Sequence, residues 1–188
     1  MSVVISYAST RIAFIMSDGR VIDGENNVVQ EDFKKFVRLN NNVIVGFTGD
    51  LNACICVTGL LSNPKNREIV SRMLVEDVYE FIRKYCTTFD GNIKYGFTIC
   101  GKSKRGTMAM ASMNWQQDSG ISYVEGTESY YTTLYPEEAN GSRVFEDNLK
   151  SLPPIAAAIQ TIKAISKVSH SVNDQPQLEI VFPARQTK

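Results

Sequence analysis

Hydrophobic residues first come in short runs. Residues 3–7 and 12–16 are apolar and are separated by the small polar stretch 8–11. Residues 36–39 and 43–47 are separated by Asn40-Asn41-Asn42. Runs of four or five residues bounded by polar connections read as two pairs of adjacent strands, and the asparagine triplet is strong turn chemistry. The polar segment 23–32 between the pairs reads as a surface loop. After residue 50 the period changes. Residues 51–61 are apolar nearly all round, so this helix is expected to be buried on more than one side, with Thr48 or Asp50 as its cap. A second helix, about 67–87, carries Ile69, Val70, Met73, Leu74, Val78, Phe81, Ile82 and Tyr85 in one stripe.

Alternation returns at Ile93, Tyr95, Phe97 and Ile99. Residues 107–113, 121–124 and 130–134 continue it, with 102–106 as a solvated basic turn and Met108, Met110 and Met113 as core filler. Residues 142–150 and 154–169 read as two further helices, the second with proline near its first turn. Residues 178–182 read as a closing strand. Strands, a helix pair, strands, a helix pair and a strand suggest two sheets face to face, each covered by helices. No repeat or low-complexity segment interrupts residues 1–188, which read as one domain.

Composition narrows the partners. Twenty Lys and Arg balance twenty Asp and Glu, so no global charge draws the chain to nucleic acid or an anionic membrane. No apolar run approaches a bilayer-spanning length, and the first residues lack a basic segment followed by a long apolar one. A cytoplasmic location is expected. Cys54, Cys56, Cys86 and Cys100 have no metal-site spacing, and with His170 as the single histidine no zinc set is available. The cysteines read as reduced small hydrophobes.

The chemistry lies in the first fifty residues. Ser2 follows Met1, and Asp18-Gly19 ends the second strand sixteen residues later. Lys34-Lys35-Phe36 opens the third strand, and Gly46-Phe47-Thr48-Gly49-Asp50 leads into the first helix. In order and spacing these pieces resemble the proteasome β-type subunits and their bacterial ring-protease relatives, within the N-terminal-nucleophile (Ntn) hydrolases. The resemblance implies an α+β, four-layer αββα sandwich that cleaves peptide or amide bonds without metal or organic cofactor. It also implies a homo-oligomeric ring, with an unfoldase partner left unspecified.

Carried over by these motifs, Ser2 is the nucleophile once Met1 is removed, and its α-amine is the base. The ordinary pKa of that amine, about 7.7–8.0, leaves a useful neutral fraction near pH 7. Lys35 is the buried cation that favours the alkoxide, Asp18 orients it, and the Gly46 amide is the oxyanion donor. Lys34 competes with Lys35, since a gapless count from Gly46 favours it, whereas the local pattern 35–39 favours Lys35. Two elements depart from the family. Its Asp-x-x-Ser-Gly corresponds to the stretch 171–176 without the glycine and with acid and hydroxyl exchanged, and its Gly-Ser-Gly is reduced to Gly141-Ser142. Ser142 and Asp174 stand as candidates for these roles. Two other functions fit the same fold: a catalytically silent scaffold subunit, and a small-molecule amidase.

Overall fold

The computed structural model describes residues 2–183, and in it the two hydrophobic periods become two sheets between two helical layers. Strands β1 (Val4–Ser9) and β2 (Ala13–Ser17) pair antiparallel. The ribbon β3 (Val21–Ile22) and β4 (Val28–Gln30) follows, then β5 (Phe36–Arg38) and β6 (Val43–Gly49). Helix α1 (Leu51–Ser62), a 3-10 turn at Pro64–Asn66, α2 (Arg67–Val70) and α3 (Val75–Cys86) lead to β7 (Tyr95–Lys102), β8 (Met108–Asn114), β9 (Asp118–Tyr123) and β10 (Ser129–Leu134). Helices α4 (Gly141–Leu149) and α5 (Pro154–Ser166) precede β11 (Gln177–Val181). One sheet has the order β10-β1-β2-β11 and the other β5-β6-β7-β8-β9, with every pairing antiparallel.

Strand alternation builds the layers. Val3, Ile5, Tyr7, Phe14 and Met16 point to one side and pack with Phe145, Ala158, Ile162 and Ile165 of α4 and α5. Val4, Ala8, Ala13 and Ile15 point to the other side and meet Ile44, Cys100 and Met110 of the second sheet. Val43, Val45, Phe47, Phe97 and Ile99 then face Val57, Leu61, Val78 and Ile82 of α1 and α3. The result is the αββα sandwich. Most polar groups inside it are paired, as in the buried 2.7 Å bond from Thr98 to Ser6, with Ser17 Oγ and Gln177 Oε1 the exceptions among the described residues. No described helix is long and apolar enough to cross a membrane.

Three elements differ from expectation. The stripe at 67–87 is not one helix: Asp77 accepts the Leu74 N–H at 3.0 Å, satisfying an orphan donor and starting α3 afresh. The segment 23–32 is not simple loop, because β4 pairs with β3 across a turn where Asn26 has φ 65 and Asp23 accepts from Glu25 and Asn27. Helix α1 buries one face only, since Ile55 and Leu60 on the other remain 44% and 38% exposed. Its cap is Asp50, whose carboxylate accepts the Ala53 N–H at 2.9 Å.

Candidate active site

Asp18 lies just past the end of β2 and is fully buried. Three donors hold its carboxylate: Val3 N–H at 2.9 Å, Arg20 N–H at 2.9 Å and Lys35 Nζ at 2.8 Å. A buried carboxylate is costly unless so paired. Lys35, at the entrance to β5, is 4% exposed and also donates to the Arg20 carbonyl oxygen at 2.5 Å. Burial pulls its pKa below the ordinary 10.5, while the Asp18 charge and hydrogen bond oppose that shift. Lys34 points the other way and is exposed. Consecutive residues of an extended segment face opposite sides, which separates the two lysines.

Ser2 sits above this pair. Its hydroxyl lies 3.5 Å from the same Arg20 carbonyl oxygen that accepts from Lys35. Its nitrogen donates to Thr48 Oγ1 at 3.2 Å. Ser2, Lys35 and Thr48 border a cavity of about 770 Å³, whose walls come from the β3 ribbon, the start of α1 and residues 90–94. Val21, Ile22, Phe47, Leu51 and Ile93 give those walls an apolar part, with Asp23, Asp50, Asp90 and Lys94 around it. Removal of Met1 concerns a residue outside the described ones.

Gly46 is not on this cavity. It lies between Phe36 and Thr98 in the five-stranded sheet. An added Cβ would come within 2.9 Å of Ile15 Cγ2 and Val4 Cγ1, so close contact between the sheets is what requires glycine there. Gly49 does border the cavity, with φ 104, and its Cβ would meet the Lys94 carbonyl oxygen at 2.4 Å.

Among the described residues, neither candidate from the C-terminal part hydrogen-bonds to Ser2. Ser142, in the first turn of α4, shares a 2.5 Å hydrogen bond with Thr133 and borders a second cavity of about 380 Å³. Asp174 is exposed. Its neighbour Asn173 is turned inward instead, accepting the Gly19 N–H at 3.0 Å and donating to the Glu31 carbonyl oxygen at 2.6 Å. Gly19 permits this approach, since a Cβ there would lie 2.5 Å from Glu31 O. Arg20 closes the same turn through Glu31 at 2.9 Å and the His170 carbonyl at 2.7 Å. The sequence pattern does not single out Asn173 or Thr48 for the site. Asn173 is a neutral residue beside an obvious acid, and Thr48 reads as a helix cap.

No family model matches the chain, and neither does any curated protein. Solved structures do match: the eukaryotic HslV of Trypanosoma brucei superposes with a TM-score of 0.65 at 14% identity. The match covers 96% of this chain and 99% of that one. At that identity the likeness is one of fold, and it spans both sheets and both helical layers. The chain therefore has the αββα fold of the proteasome-like Ntn hydrolases, the architecture that it shares with HslV.

Proposed function

We propose that the chain is a proteasome-like Ntn hydrolase that cleaves a peptide or amide bond through Ser2, after Met1 is removed. The observation that carries this reading is the shared Arg20 carbonyl oxygen. Ser2 Oγ and Lys35 Nζ both donate to it, at the edge of a substrate-sized cavity. The neutral α-amine takes the Ser2 hydroxyl proton as the oxygen attacks the carbonyl carbon. The same amine then returns a proton to the leaving nitrogen, the amide C–N bond breaks, and an ester to Ser2 remains. Water, deprotonated by the amine, attacks the ester carbon, the ester C–O bond breaks, and the amine returns the proton to the departing Ser2 oxygen. Lys35 supplies positive charge beside the developing alkoxide and keeps the amine's pKa down by like-charge repulsion. Asp18 holds Lys35 in place.

For the oxyanion, the geometry favours the Gly49 amide over that of Gly46. Along β6 the Phe47 N–H donates to Lys35 O on the β5 side, and the Asp50 N–H donates to Lys94 O on the other. By that alternation the Gly49 N–H faces the β5 edge, where β5 has ended and the cavity begins. Ile55 and Leu60 on α1 supply an apolar face for a neighbouring copy, which supports a ring-forming homo-oligomer. That face also fits the silent-subunit reading. We read the chain as cytoplasmic, since its four free thiols suit a reducing compartment.

Hydrolysis of a fluorogenic peptide library tests the reading. Turnover is expected to disappear in Ser2→Ala and Lys35→Met and to persist in Lys34→Met. Turnover that survives Ser2→Ala would move the nucleophile elsewhere. Folded wild-type oligomers with no turnover and no acyl-enzyme would favour the silent subunit.

A further inference from the structure

Neither Ser142 nor Asp174 hydrogen-bonds to the Ser2 nitrogen, whose partner among the described residues is the Thr48 hydroxyl. We propose that Thr48 takes their place as the positioning residue of the α-amine, its hydroxyl fixing the amine so that its lone pair faces the Ser2 hydroxyl. This rests on the reading of Ser2 as nucleophile.

Thr48 Oγ1 accepts from the Ser2 backbone N–H at 3.2 Å, the nitrogen that becomes the α-amine once Met1 is removed, and lies 3.5 Å from Ser2 O, to which it donates. With its proton directed to that carbonyl, the hydroxyl keeps its lone pairs for the nitrogen. A neutral amine has two N–H donors and one lone pair. Once a donor is fixed by Thr48, rotation about N–Cα is restricted and the lone pair can be held toward Oγ.

Thr48 is itself held firmly. It is 5% exposed and β-branched, and its methyl packs on Gly96, where an added Cβ would lie 3.2 Å from Thr48 Cγ2. The backbone on either side is pinned at Phe47 and Asp50, and the Thr48 carbonyl accepts from Cys54 Sγ at 3.4 Å. Helix capping does not need its hydroxyl, because Asp50 provides the cap. Thr48 also borders both cavities, so it stands where they meet beside Ser2.

The charged groups around the amine are Lys35 and Asp18 below it, Asp23, Asp50, Asp90 and Lys94 around the first cavity, and Glu138, whose carboxylate is held low by Ser169 and in part by the N-terminal charge; Lys94 pairs with Glu137 at 3.8 Å. None of these changes on substituting Thr48, so a wild-type comparison isolates the hydroxyl. When the amine gains a proton, Thr48 becomes the acceptor of a charge-assisted bond that favours the ammonium.

The test compares Thr48→Val, Thr48→Ala and Thr48→Ser with wild type in two measurements. One is the pH dependence of fluorophosphonate labelling at Ser2. The other is the pH dependence of acetylation of the Ser2 amine by acetic anhydride, read by mass spectrometry, which needs no catalysis. Loss of one hydrogen bond predicts roughly tenfold slower labelling at the plateau in Thr48→Val and Thr48→Ala. It also predicts that the rising limb and the acetylation midpoint move to lower pH. Thr48→Ser restores both. If Thr48→Val and Thr48→Ala keep the wild-type plateau and midpoints, the proposal is overturned while Ser2 remains the nucleophile. If wild type does not label but the acetylation midpoint shifts in Thr48→Val, catalysis by Ser2 fails and the placement by Thr48 stands. An unshifted midpoint then overturns both, as does a retained Met1. Should Thr48→Val not fold, Thr48→Ala decides.

Discussion

Two regions meet at the turn 18–20, and they support it differently. From the front, residues 2–50 supply charge: a buried carboxylate paired with a buried ammonium, the Ser2 hydroxyl on the same Arg20 carbonyl oxygen as that ammonium, and the Thr48 hydroxyl on the Ser2 nitrogen. From behind, residues 169–173 supply neutral polar groups, chiefly the Asn173 amide on Gly19 and Glu31, and the His170 carbonyl on Arg20. If Ser2 acts as proposed, the front is an electrostatic device that removal of one member is expected to disable. The groups of the back that reach the turn, the Asn173 amide and the His170 carbonyl, carry no formal charge, whereas the Asp174 carboxylate points to solvent, so different polar residues can serve in the brace. The site's chemistry is set by the first region and its rigidity by both.

The largest effect should come from breaking the front pair. Asp18→Ala leaves the Lys35 ammonium buried without its counter-charge and two backbone N–H groups without an acceptor. A loss of about 3–5 kcal/mol in urea unfolding is expected. Asp174→Ala, a carboxylate removed from the exposed back, should stay within about 0.5 kcal/mol. Equal losses at the two positions would erase the distinction between the regions.

Glycine substitutions come next. Gly46→Ala forces a methyl between Ile15 and Val4 and should cost about 1–3 kcal/mol, with labelling of the folded fraction retained. Gly49→Ala meets the Lys94 backbone at a positive φ and should remove labelling as well. If Gly46→Ala alone lost activity in a fully folded protein, the oxyanion donor would be Gly46 after all.

Asn173→Ala removes the acceptor of the Gly19 N–H and should cost about 1–3 kcal/mol, measured by thermal unfolding. Because Asn173 also donates to the Glu31 carboxylate at 2.7 Å and helps to hold its pKa below the ordinary value, part of this effect should be present above pH 4.5 and fade as pH falls through the lowered Glu31 value. The front pair acts in the opposite, alkaline range. The folded-state pKa of Lys35 lies below the ordinary 10.5, so between those values the unfolded chain binds the proton that the folded chain has released. Stability then rises with pH across that window, and the increment is lost as pH falls through the folded value. Lys35→Met should flatten this rise, the smallest effect of the set, visible in urea midpoints taken at several pH values. An unchanged slope in Lys35→Met would assign it to another group.

The same contrast shows what the sequence could convey. Strand spacing locates the front, with Asp18 just after β2 and Lys35 just before β5; the choice of Lys35 over Lys34 rests on the local family pattern at 35–39, and alternation accounts for only one of the two turning inward. Layer order was legible for the same reason, since alternating faces such as Val3, Ile5 and Tyr7 against Val4 and Ala8 must find two partners. The back was not legible. Whether Asn173 or Asp174 enters the core depends on how a loop without regular period crosses the end of a sheet. Thr48 was hidden by an equally good cap two residues on. The break before α3 was hidden in a continuous apolar stripe, where one Asp77 hydrogen bond outweighed the periodicity. The exposed side of α1 reads as buried because apolar composition marks a face without naming its partner.

The claim that Ser2 is the nucleophile is tested most directly by intact-mass and peptide-mapping mass spectrometry of protein treated with a β-lactone probe. The expected result is a chain lacking Met1, one adduct per chain on the Ser2 oxygen, and no adduct in Ser2→Ala of unchanged melting temperature. An adduct that persists in Ser2→Ala, or a native chain that retains Met1, would contradict it.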